Sequence, residues 1–176
     1  MTQNSNELLL NEAISIYETA KNHIKDLFID LRIYNHKANG ANLDENCEYT
    51  DSVNTNLDDL CQRNTTELEK DIELSIDEIN ANIKNFKYIV AELLKSPKSD
   101  SIITKLKNET EIKIADDTTN SINENVLSLL INDILTYLKT IHTNKFLKSV
   151  YTQLVELCDS LTTIFNEEQS AEHTIN

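Results

Sequence analysis

Histidine, cysteine and carboxylate are the side chains that could do chemistry in this chain, and their spacing decides whether they do. There are four histidines (His23, His36, His142 and His173), three cysteines (Cys47, Cys61 and Cys158) and 30 acidic residues. A dimetal centre in a helical bundle needs a Glu three residues before a His, so that both ligands leave one face; no histidine here has one, and HExxH is absent. Cys47 and Cys61 lie fourteen residues apart without a CxxC or a His pair, so no zinc site is expected. The acidic run from Asp44 to Asp51 lacks the glycine and the twelfth-position Glu of a calcium loop. A single glycine cannot build a phosphate-cradling loop. The expectation is a protein with no catalytic residues, no metal and no cofactor. The histidines then read as surface or boundary residues, and Cys61 and Cys158, both on apolar stripes, as small hydrophobes. Ser96-Pro97 has the minimal form of a proline-directed phosphorylation site. Thr65, Thr66 and Ser75 have downstream acids of the kind acidophilic kinases favour.

The elements that would position these residues are all helical. One Gly and one Pro in 176 residues exclude the turns of a sandwich, a barrel or a doubly wound sheet. Residues 1–35 read as an N-terminal helix: Leu10, Ala13, Tyr17, Ala20, Ile24, Leu27, Leu31 and Tyr34 alternate at three and four residues, a heptad seam. Residues 36–56 read as an acidic flexible connector containing Gly40. Residues 57–95 read as one long helix, because Leu57, Leu68, Ile79 and Val90 are eleven apart, as are Cys61, Ile72, Ile83 and Leu94. Its length would be roughly 60 Å. Pro97 breaks it, and 96–120 should hold a short helix followed by a loop, an extended piece at Ile112 and Ile114 being the weaker alternative. Residues 121–166 read as a C-terminal helical hairpin and 167–176 as a disordered tail. The fold class is all-α: an elongated helical hairpin or coiled coil with a C-terminal helical hairpin. The 22 asparagines we discount as drift in composition.

Stripes this regular need partners. The candidate partner-binding seam is Leu10, Tyr17, Ile24, Leu27 and Leu31 on the first helix, with Leu68, Ile72, Ile79, Ile83 and Val90 on the second. Other helical or coiled-coil chains in a hetero-oligomer would fill it. The net charge of −14 argues against direct contact with nucleic acid or an anionic membrane. No signal-peptide pattern opens the chain and no apolar run approaches the ~18 residues of a membrane span, so an intracellular protein is expected. Charge is also polarised: residues 42–80 carry twelve acids against two basic residues, whereas 81–115 carry seven Lys against four acids. Such polarity favours an oppositely charged partner rod in one register.

Leu93-Leu94-Lys95-Ser96-Pro97 closes the long helix, and Ile103-Thr104-Lys105-Leu106 resumes the next. In these segments, and in an N-terminal helix leading into a long acidic one, the chain resembles the small coiled-coil subunits of the fungal inner kinetochore, of the CENP-H type. The resemblance implies an all-helical, non-catalytic partner for a second coiled-coil subunit, in a nuclear complex on centromeric chromatin, with DNA contact left mainly to other subunits. Two functions follow as expectations. The first is a structural subunit assembled through coiled-coil contacts. The alternative is a self-contained acidic bundle acting as a regulatory adaptor or effector that binds one protein target. They separate on whether the seam is exposed or filled by the chain itself.

Overall fold

The computed structural model describes residues 2–40, 62–97, 100–115 and 121–162. Its elements are α1 (Thr2–Asn39), α2 (Thr65–Leu94), α3 (Asp100–Thr110), β1 (Glu111–Ala115), β2 (Ser121–Asn125), α4 (Val126–Thr140) and α5 (Lys145–Thr162). The fold is all-α, with one small antiparallel hairpin in which Ile114 pairs with Ile122 and Glu111 with Asn125.

Helix boundaries follow local chemistry. α1 runs beyond residue 35 and stops at Gly40, whose φ of 70° is left-handed and whose N–H donates to the His36 carbonyl at 2.9 Å. A glycine there costs no Cβ strain, which is why the helix ends at that residue. Residues 36–39 are therefore helix rather than connector; residues 41–56 lie outside the described residues. α2 begins at Thr65, not near 57, because the Asn64 side chain accepts from the Glu67 N–H at 2.8 Å and caps it. At 30 residues α2 is about 45 Å long, shorter than the expected rod. Residues 57–61, with Cys61, lie outside the described residues. Asn125 caps α4 by accepting from the Leu127 N–H at 2.9 Å, so that helix starts at Val126. Asn144 does the same for α5 through the Leu147 N–H, also at 2.9 Å. Where a loop is expected after Lys107, the structure continues α3 to Thr110 and then pairs β1 with β2. The Ile-Lys-Ile alternation was the local signal of that strand.

Contacts between elements fix the topology. Asn6 meets Ser96, Tyr17 meets Phe86, His23 meets Glu78 and Tyr34 meets Glu69, so α1 and α2 are antiparallel along their whole length. α4 runs alongside α1 in the same direction, with Tyr17 at its start and Phe28 and Asn35 against Tyr137. α5 returns, Cys158 facing Ser128 and Asn132, and closes on α2 through Ile76, Asn80, Gln153 and Leu157. The last two helices are thus a hairpin packed on the first two, giving an up-down-up-down bundle. α3 points the same way as α4 and occupies the same column below it. Its Thr110 carbonyl accepts from the Tyr17 hydroxyl that also reaches the start of α4. One core runs through all of this, from Leu10 to Leu161.

Candidate functional site

The partner-binding seam expected from the sequence lies inside the monomer. Leu10, Tyr17, Ile24, Leu27 and Leu31 are at most 8% exposed, and Leu68, Ile72, Ile79, Ile83 and Val90 at most 1%. The heptad stripe of α1 and the eleven-residue stripe of α2 face each other. The C-terminal helices cover what remains. The reason is arithmetic that single-helix periodicity does not contain: four amphipathic segments in one chain suffice to bury one another.

Three polar clusters tie the columns. Near the middle, the Tyr17 hydroxyl donates to the Thr110 carbonyl at 2.7 Å, lies 2.9 Å from Asn125 Oδ1 and accepts from the Leu127 N–H at 3.1 Å. It therefore bridges the end of α3 and the start of α4 across the hairpin. Toward the C-terminal end of α1, Asn39 Nδ2 donates to Asn35 Oδ1 at 2.7 Å and to the His142 carbonyl at 3.0 Å. Asn35 Nδ2 donates to the Tyr137 hydroxyl at 3.0 Å. The Tyr34 hydroxyl donates to Glu69 and accepts from Asn144; burial pushes its phenol up, and Glu69 adds to that. The third cluster is a clamp. Arg63 reaches Asp30 of α1 at 2.7 Å and Asp71 of α2 at 2.6 Å. Burial holds the Asp30 carboxyl above its ordinary value although Arg63 pulls it down. Arg32 stacks over the Phe28 ring at 4.4 Å and the Tyr137 ring at 5.5 Å.

These clusters hold helices together. His23 Nδ1 sits 3.1 Å from Glu78, and Cys158 is half-buried with its thiol pushed up to about 11, chiefly by burial. A thiol so raised is a poor nucleophile. A cleft of about 120 Å³ between α2 and α5 is lined by Asp77, Asn80, Gln153 and Glu156. Among the described residues no group of three or more His, Cys, Asp or Glu could hold a metal ion, and no helix is long and apolar enough to cross a membrane. Ser96 is partly buried and its hydroxyl accepts from Asn6 Nδ2 at 2.8 Å. Cys47 and His173 lie outside the described residues.

The residues missed were asparagines. Asn35, Asn39, Asn64, Asn125 and Asn144 cap or tie the helices, and composition had argued for discounting them. The available signal was position: Asn64, Asn125 and Asn144 each directly precede a helical apolar pattern. No protein-family model, no curated protein and no solved structure matches this chain.

Proposed function

We propose that this protein is a non-catalytic, self-contained acidic helical bundle that works as an adaptor, binding a protein target through its outer surface. The observation that supports this over coiled-coil assembly is the burial of both stripes within one chain, down to 1% exposure at Ile24 and 0% at Leu27 and Leu31. A coiled-coil subunit would keep such a stripe for its partner. A larger nuclear assembly of the kind the resemblance implies would have to recruit this chain through its outer face. The chain as a whole carries a net charge of −14, which suits a basic protein surface.

The isolated chain should be helical by circular dichroism and should unfold cooperatively without any partner. Ile24→Asp should abolish that transition, because an unpaired carboxylate among buried aliphatic side chains costs several kcal/mol. A folded Ile24→Asp variant, or a wild-type chain that gains its helix only with another protein, overturns the reading.

A further inference from the structure

α2 carries a second regular row on its solvent side. Counting in sevens, Glu67, Leu74, Ala81, Tyr88 and Lys95 fall directly opposite the buried stripe of Leu68, Ile72, Ile76, Ile79, Ile83, Phe86 and Val90. All five are exposed. Leu74 at 51% and Tyr88 at 69% are two of the three large apolar side chains that the described residues leave in solvent. Asp77 and Lys84 flank the row on one side, Glu78 and Asn85 on the other, and all four are exposed too. Read outward from Ala81, the row is self-complementary: leucine on one side answers tyrosine on the other, and Glu67 answers Lys95.

We propose that α2 packs against α2 of a second copy of this chain, antiparallel, across a two-fold axis at Ala81. Such a contact is isologous, so every pair occurs twice. Leu74 meets Tyr88 of the second copy, Glu67 meets Lys95, and Asp77 meets Lys84. Ala81 faces its own copy on the axis, where a small side chain lets the helices approach closely. A parallel pairing would instead set Glu67 on Glu67 and Lys95 on Lys95, which like-charge repulsion disfavours. One juxtaposition opposes the dimer: Asp71 comes near Glu92 of the second copy. Asp71 already has its own cation in Arg63 at 2.6 Å, and Glu92 shares Lys95, at 3.2 Å, with Glu67 of the second copy. The polarity of α2, acidic first and basic later, thus serves an antiparallel copy of itself. The inference rests on the bundle being self-contained, and it makes the adaptor bivalent.

Sedimentation velocity on the full chain over a concentration series tests it, with circular dichroism on every sample. The wild type should approach twice 20.1 kDa. Asp77→Lys should weaken association by about tenfold, since two facing pairs become repulsive. Asp77→Lys with Lys84→Asp should restore it. Under mild oxidation, Ala81→Cys should give an interchain disulfide through position 81, because only a residue on the axis meets itself. A wild type that stays at 20.1 kDa at every concentration overturns the dimer. A dimer indifferent to the charge swap, with no disulfide at position 81, overturns this surface and register. Loss of helix in the isolated wild-type chain would instead overturn the adaptor reading, so the two failures are distinguishable.

Discussion

Tyr17 shows how much one side chain does in this fold. Its ring is buried against Phe86, centroids 5.4 Å apart, while its hydroxyl joins the end of α3 to the start of α4. The heptad pattern makes the ring's burial legible, because Tyr17 sits in phase with Ala13, Ala20 and Ile24. Nothing in that pattern reveals the hydroxyl's partners, which lie 93 and 110 residues away. Tyr17→Phe should keep the ring packing and leave the Thr110 carbonyl without that donor. The expected cost is about 1–3 kcal/mol, seen as a lower urea midpoint at unchanged slope. Hydrogen exchange should localise the damage: the Leu127 amide should exchange faster, while the amides of α2 should follow only the global loss. A neutral Tyr17→Phe would mean that water replaces the hydroxyl. The caps make the same point from the other direction. Asn is abundant throughout the chain, so its count says nothing; only its place just before a helical run carries information.

At the scale of elements, helices and their faces were legible and their neighbours were not. Periodicity places α1, α2, α4 and α5, because each buries a stripe with a regular phase. It is silent on Arg63, which precedes α2 and reaches both Asp30 and Asp71 to hold α1 and α2 at one relative height. The Asp30 side chain is only 14% exposed. Removing its cation leaves a largely buried carboxylate with weak compensation, so Arg63→Met should destabilise by about 1–2 kcal/mol at neutral pH, less than a fully buried pair because Arg63 and Asp71 are partly solvated. The pH dependence has a definite sign. The folded carboxyl of Asp30 titrates above its unfolded value, because burial outweighs the pull of Arg63. Its protonated form is therefore favoured by the fold; that contribution is complete below the unfolded value and is lost as pH rises through the folded one. Without Arg63 the folded value should rise further. Urea titrations from neutral pH down to about pH 4 should show the gap between wild type and Arg63→Met narrowing on acidification. A gap that widens would place the destabilisation elsewhere.

The whole molecule is a bundle whose third column is in two pieces. α3 and α4 follow one line along α1, and the chain leaves that line at Thr110, makes the β1–β2 hairpin and rejoins it at Asn125. Composition, with one Gly and one Pro, supports an all-helical architecture but cannot locate such a detour, since β pairing needs neither residue within its strands. Tyr17 shows what makes the detour tolerable. Its hydroxyl lies within hydrogen-bond distance of both the Thr110 carbonyl and Asn125 Oδ1, so the two ends of the insertion meet at one atom. A two-stranded hairpin is marginally stable alone, and the helices it springs from carry core residues on either side of it: Leu106 and Leu127 are 0% and 1% exposed. Replacing residues 111–124 by two glycines should therefore leave a folded bundle. Helix content per molecule should be unchanged and the thermal midpoint should move by only a few degrees, because closing a short loop costs little entropy. If the shortened chain loses cooperative unfolding, the hairpin is part of the core after all. If it stays folded, the hairpin is free to serve a surface role, and the same shortened chain shows directly whether target binding needs it.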